Sequence, residues 1–156
     1  MGKEVNAGNK MLADNRKARF NYTVEEKLEC GIALAGTEVK SMKTGRFSFS
    51  DAYARIKDDE IWLVGFHISP YPYGNIFNHD PDRPRKLLIH RQEIRRLAKK
   101  SNERGYTLVP LRFYLKRGIV KLDLGVCVGK KAYDKREVIK KRDETREMQR
   151  EIRHRL

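Results

Sequence analysis

Short strand-like runs make up most of the body of this chain, some of them apolar and some alternating apolar and polar with a two-residue period. Only two stretches of the body take helical spacing. Leu28 to Leu34 (LECGIAL) is largely apolar with a glycine inside it, and predicts a strand. Gly36 to Lys43 predicts a short helix, with Thr37 as its N-cap and Gly45 as its stop. Alternation resumes at Phe47 and Phe49 and again at Ala52, Ala54 and Ile56. Lys57-Asp58-Asp59 then makes a turn, and Glu60 to Ile68 predicts a strand rich in branched and aromatic side chains. Residues 69 to 85 hold four of the five prolines and predict a long exposed loop. Leu87 to Ile89 are apolar, and His90 to Arg104 places Ile94, Leu97 and Ala98 at helical spacing before Gly105. Two closing strands, Tyr106 to Leu115 and Ile119 to Val128, are joined by Lys116-Arg117-Gly118; Pro110 predicts an edge or a bulge in the first.

Several short strands with two or three short helices predict a mainly β fold. A small closed antiparallel barrel over residues 15–128 fits best, because closure removes exposed strand edges. Residues 1–14 are small and polar, without periodicity, and are expected to form a disordered arm. Residues 129–156 form a basic tail with eleven Lys or Arg against six Asp or Glu. Its Met148, Ile152 and Leu156 make one thin stripe at i, i+4 and i+8, too narrow to dock firmly. The tail is therefore expected to be disordered when free and helical on a partner.

Charge narrows the partner. The formal net charge is +14, from 35 basic against 21 acidic residues, which leaves a positive field over the surface. Nucleic acid is the first partner to consider, since neutralised phosphates release condensed counterions. No long apolar run is present, and Asn6 stands where a myristoylation signal wants Ser or Thr, so no membrane partner is expected. The start of the chain lacks an apolar signal stretch, and Cys30 and Cys127 read as two small buried thiols; a cytoplasmic location follows as an expectation. Neither cysteine has a partner at metal-ligand spacing, so no metal and no cofactor are expected. A basic body with a basic tail predicts two contacts with polyanions.

Several residues offer that chemistry. Asn15, Arg16, Lys17 and Arg19 suit phosphates, while Phe20 and Tyr22 either stack on unpaired bases or enter the core. Gly31 and Gly36 either admit a close backbone or serve a bulge and a helix entry. Glu29 and Glu38 pair with nearby cations or accept from a base amino group or a 2′-OH. Lys40, with Lys43 and Arg46, extends a basic surface or a solvated face. Within the tail, Lys130, Lys131, Lys135 and Arg136 bracket Tyr133, which suits insertion beside RNA bases or an ordinary charged helix. The pair His79-Asp80 is one fragment of a metal phosphohydrolase site, without the other ligands such a site needs. It reads better as part of a loop ordered by Asp–Arg pairs.

Four separated motifs, NRKARFNY (15–22), ECGIALAGTEVKSMKTGRFSFSDAYA (29–54), NHDPDRPRKLLIH (78–90) and GKKAYDKRE (129–137), stand in order along the chain. Together they resemble the SsrA-binding protein family, also called small protein B. Arg16 departs from the usual lysine, Asn21 from a common aspartate and Cys30 from a common alanine. The resemblance implies an OB-like barrel that binds the tRNA-like domain of transfer-messenger RNA and accompanies it to stalled ribosomes for trans-translation. It also implies a tail that enters the empty messenger channel at the decoding centre of the small subunit, and a monomeric protein that is no enzyme. It assigns RNA binding to Asn15, Arg16, Lys17, Ala18, Phe20, Tyr22, Glu29, Gly31, Glu38 and Lys40. It assigns ribosome binding to Lys130, Lys131, Tyr133, Asp134, Lys135 and Arg136. The rival readings are a ribonuclease or phosphohydrolase acting through His79 and Asp80, and a ribosomal or initiation-factor-like module that binds RNA with no rescue role.

Overall fold

The computed structural model describes residues 9–74, 78–103, 105–130, 142–143 and 145–146. In chain order the elements are β1 (Asn9–Asp14), α1 (Arg16–Asn21), β2 (Tyr22–Ile32), α2 (Gly36–Lys43), β3 (Phe47–Ser48) and β4 (Tyr53–Lys57). They continue with β5 (Glu60–Val64), β6 (His67–Ile68), β7 (Arg85–Leu88), α3 (Arg91–Asn102), β8 (Tyr106–Lys116) and β9 (Ile119–Gly129). The architecture is mainly β, as the alternation predicts. One strand with three partners closes the sheet. Strand β8 pairs with β9 along its length, with β4 through Leu108 and Ala54, and with β1 between Arg112 and Lys116. The order β1-β8-β4-β5-β7-β2-β9, rejoined by β8–β9, is an antiparallel ring of six strands with β1 added outside it.

Inside the ring lie the alternate side chains Ile61, Leu63, Leu87, Leu108, Phe113, Leu122 and Leu124, all essentially solvent-free. Phe66 stacks on Phe113 with ring centroids 4.9 Å apart, and Phe49 meets Phe113 edge-on at 4.9 Å. The helices α2 and α3 add Met42, Ile94 and Leu97 to the same core. Each such side chain contributes roughly 1.5–3 kcal/mol by leaving water. A second, smaller cluster of Ala18, Val109, Leu111 and Cys127 lies outside the ring, on the opposite face of β8 and β9, where α1 covers it.

Four expectations change. The arm is not disordered through residue 14: residues 9–14 form β1, because the second half of β8 needs a partner and Leu12 and Ala13 pack on the core. The expected strand from Glu60 to Ile68 breaks at Gly65, whose φ of +72° turns the chain so that β6 pairs with β3 in a separate two-stranded sheet. Helix α2 has the expected span, but Ala35 is its N-cap and Glu38 Oε1 accepts from the Ala35 N–H at 2.8 Å, so Thr37 does not cap it. Of the two readings of Pro110 the bulge holds, between Pro110 and Arg112, within a strand that is interior rather than at an edge, so this expectation does not change. Gly129, placed with the tail by sequence, is the last residue of β9.

Candidate nucleic-acid interface

The first basic cluster is presented by a helix that its own asparagine sets up. Asn15 Oδ1 accepts from the Ala18 N–H at 3.0 Å, which caps α1, and Asn15 Nδ2 donates to the Pro110 carbonyl at 3.0 Å, which pins the cap to β8. Asn15 and Ala18 are therefore buried and position their neighbours. Arg16 and Lys17 point to solvent, and Lys17 Nζ lies 2.6 Å from Asp51 Oδ1. Lys17, Tyr22 and Tyr53 line a depression of about 320 Å³ beside α1. Phe20 is half-buried but outside both apolar clusters, and the Arg142 guanidinium lies 5.6 Å from its ring centroid. Tyr22 packs partly on the smaller cluster.

A second group sits at the far end of β2. Nine strand steps of about 3.3 Å separate Tyr22 from Gly31, roughly 30 Å along the sheet, so the candidate residues form two patches rather than one. Gly31 pairs with Lys121 on one side and Leu88 on the other, on the floor of a cleft of about 610 Å³. Glu29, Leu88, His90, Arg91 and Lys121 line it. A Cβ on Gly31 would stand 3.2 Å from the Leu88 Cβ, so glycine keeps that floor open. Glu29 accepts from the Tyr114 hydroxyl and from Lys116 Nζ at 3.2 Å. The Tyr114 hydrogen bond, aided by Lys116 and Lys121, holds its carboxyl below the ordinary value against the cost of desolvation. Leu88, half exposed on the wall of the cleft, and Lys121 and Arg91 escape sequence reasoning. Only the strand register brings them to Gly31, and no local pattern encodes that register.

Glu38 needs a correction. It is fully buried, with Oε2 accepting from Arg85 Nε at 2.6 Å and Oε1 accepting from Arg83 Nη2 and the Ala35 N–H, so it offers RNA no accessible atom. Burial pushes its carboxyl up, but the hydrogen bonds from Arg83, Ala35 and Arg85 prevail and hold it below the ordinary value. Arg85, equally buried, spends its remaining N–H groups on the carbonyls of Phe66, Pro81 and Asp80 and lies 5.2 Å from the Phe66 ring centroid. Glu38 thus ties α2 to the proline-rich loop. Lys40 stays exposed, with Nζ 5.6 Å from the Tyr71 ring centroid.

His79 belongs to the same scaffold. Its Nε2 lies 2.9 Å from the Ile68 carbonyl and its Nδ1 2.9 Å from Thr37 Oγ1. A ring with the proton on Nε2 donates to the carbonyl and accepts from the hydroxyl, which leaves neither nitrogen for a metal or a water. Among the described residues no three His, Cys, Asp or Glu side chains gather as a metal site, and no helix is long and apolar enough to cross a membrane. Cys30 and Cys127 are free and buried.

Of the tail, Lys130 is fixed: its N–H donates to the Asn21 carbonyl at 2.9 Å and its Nζ to the Arg19 carbonyl at 3.0 Å. Lys131, Tyr133, Asp134, Lys135 and Arg136 lie outside the described residues, as does most of the expected disorder-to-helix segment. The four described tail positions near Arg142 are helical.

The family model described as SmpB protein matches residues 12–154. The SsrA-binding protein of Treponema denticola is 64% identical over 143 residues, covering 92% of this chain and 93% of that protein. The SsrA-binding protein of Borreliella burgdorferi is 52% identical over 146 residues, covering 94% and 97%. A solved structure described as "tmRNA-SmpB: a journey to the center of the bacterial ribosome" superposes with a TM-score of 0.67 at 45% identity, over 85% of this chain and 95% of that one.

Proposed function

Since the chain belongs to the SmpB protein family, we propose that it binds transfer-messenger RNA through its barrel and brings that RNA to stalled ribosomes for trans-translation. The carrying observation is identity with SsrA-binding proteins across nearly the whole chain, tail included. The geometry supports the same reading: exposed cations stand at both ends of β2, and a glycine-floored cleft with Lys121 and Arg91 suits an RNA backbone. The tRNA-like domain is the part we assign to the barrel, with Arg16, Lys17, Phe20, Tyr22, Glu29, Gly31 and Lys40 in contact and Asn15, Ala18 and Glu38 positioning them.

The tail, through Lys130, Lys131, Tyr133, Asp134, Lys135 and Arg136, is the element we assign to the empty messenger channel at the decoding centre. The protein acts as a cytoplasmic, monomeric binder, and His79 serves the fold, with both ring nitrogens engaged within the protein. Deleting residues 130–156 tests the division of labour. Transfer-messenger RNA should still shift in a gel with an affinity within a few-fold of the full chain, while tagging of stalled peptides is lost. A deletion that abolishes the gel shift would overturn it. RNA cleavage by the pure protein with Mg²⁺, abolished by His79→Ala, would overturn the non-enzymatic role.

A further inference from the structure

The outer face of β4, β5 and β7 carries chemistry that neither patch above uses. Alternation along β5 sends Ile61 and Leu63 into the core and leaves Glu60, Trp62 and Val64 half-buried on the outside. Trp62 is the single tryptophan of the chain. It stands directly opposite Arg55 on β4 and Lys86 on β7, so the indole is flanked across three strands by two cations. Directly opposed residues on one sheet face are close neighbours. Arg55 and Lys57 are exposed and have no carboxylate partner among the described residues, while Lys86 reaches Glu60 at 3.4 Å. No ring or cation among the described residues stacks on the Trp62 indole. The shallow groove of about 360 Å³ over it is walled by Arg55, Lys57, Asp58, Glu60, Val64 and Pro84.

An uncapped indole beside the unpaired cations Arg55 and Lys57, with Lys86 on its other side, is an arrangement that holds an unpaired base by its π face and the adjoining phosphates by charge. The groove also adjoins the Gly31 cleft: Glu60 lines both, and Lys86, beside Trp62, lines the cleft. A strand leaving the cleft therefore reaches Trp62 by crossing β7. We propose that Trp62, with Arg55 and Lys57, forms a stacking platform for a single-stranded segment of RNA, outside the two patches at the ends of β2. The platform rests on the reading that this chain binds RNA, but not on which residues hold the tRNA-like domain. Recognition is by stacking and phosphate charge, so it tolerates different base sequences.

The single tryptophan makes the test direct. Emission excited at the red edge of the indole band is followed while the full-length protein is titrated with transfer-messenger RNA, and separately with an unstructured oligouridylate. Stacking predicts saturable quenching with both. Trp62→Leu, which keeps an apolar outer-face residue without a π face, should weaken oligouridylate binding roughly ten-fold, and Trp62→Phe should restore most of it. Arg55→Ala with Lys57→Ala should lower the salt slope of oligouridylate binding by roughly one to two. These substitutions lie on the outer face, and circular dichroism checks that each variant is folded. Unchanged emission at saturating transfer-messenger RNA, with binding intact in a gel, overturns the platform and leaves the proposed function standing. Loss of all binding to transfer-messenger RNA in the unaltered protein overturns both.

Discussion

Glu38 illustrates how far a residue's position can depart from its sequence surroundings. Its partners Arg83 and Arg85 lie more than forty residues on, and the pair with Arg85 is shut away from water. Glu38→Gln keeps the shape but strands a buried guanidinium, which predicts a loss of about 3–5 kcal/mol in denaturant unfolding. Replacing Glu38 and Arg85 together by leucines should cost less than the sum of the two single changes. The acid side has a defined sign. The Glu38 carboxyl sits below its ordinary value of 4.5 in the folded chain, so its contribution is complete above 4.5 and is lost as pH falls through the lower folded value. The stability gap between the native chain and Glu38→Gln should therefore narrow on acidification below 4.5. A gap that widens there would contradict the assigned network. The two thiols give a second residue-level expectation. Burial, reinforced by Asp123 and Glu29, pushes Cys30 up to about 12, and burial alone pushes Cys127 to about 11. Both should stay unreactive towards a thiol reagent in buffer and titrate together only in denaturant.

At the level of elements, the sequence was legible wherever burial on one face imposed a period, and illegible where tertiary pairing made the decision. The strands β8 and β9 follow from their apolar runs, helix α3 from the spacing of Ile94, Leu97 and Ala98, and helix α2 from its stop at Gly45. Helix α1 does not, because its six residues RKARFN carry a single buried side chain, Ala18, and its cap is fixed by a bond to Pro110 ninety-five residues away. Strand β1 was hidden for the same reason, since its apolar content only makes sense beside the free half of β8. The candidate site divides in the same way: motif resemblance found Glu29 and Gly31, whereas Leu88, Arg91 and Lys121 needed the register. Gly65 shows what a single backbone conformation decides. A Cβ there would stand 3.0 Å from the Asp51 carbonyl oxygen and 3.3 Å from the Ala52 Cα, at a positive φ. Gly65→Ala should lower stability by about 1–3 kcal/mol, read as a lower denaturant midpoint with an unchanged slope. Gly118, also at positive φ but with nothing within 4 Å, should tolerate alanine at the lower end of that range or below it.

Across the whole molecule, a ring with candidate contacts at both ends of one long strand implies that the RNA spans the body instead of entering a single pocket. Lys17→Ala at one end and Lys121→Ala at the other should then each weaken transfer-messenger RNA binding, and their effects should add within about 0.5 kcal/mol. Strong non-additivity in a filter-binding titration would place both on one compact footprint. The last hydrogen bonds of the sheet have a further consequence. Tyr22 faces Gly129 across β2 and β9, and the Lys130 N–H closes onto Asn21, so the chain departs from the body at a point that the strand register holds still. That point works as the origin of a scale. Where the tail is helical, every residue added just beyond Lys130 would carry the following side chains forward by about 1.5 Å and around by about 100°. Residues added at the Lys116–Gly118 turn would leave the origin where it is. The distance between what the body holds and what the tail touches is thus written in residue count alone, and can be reset one step at a time.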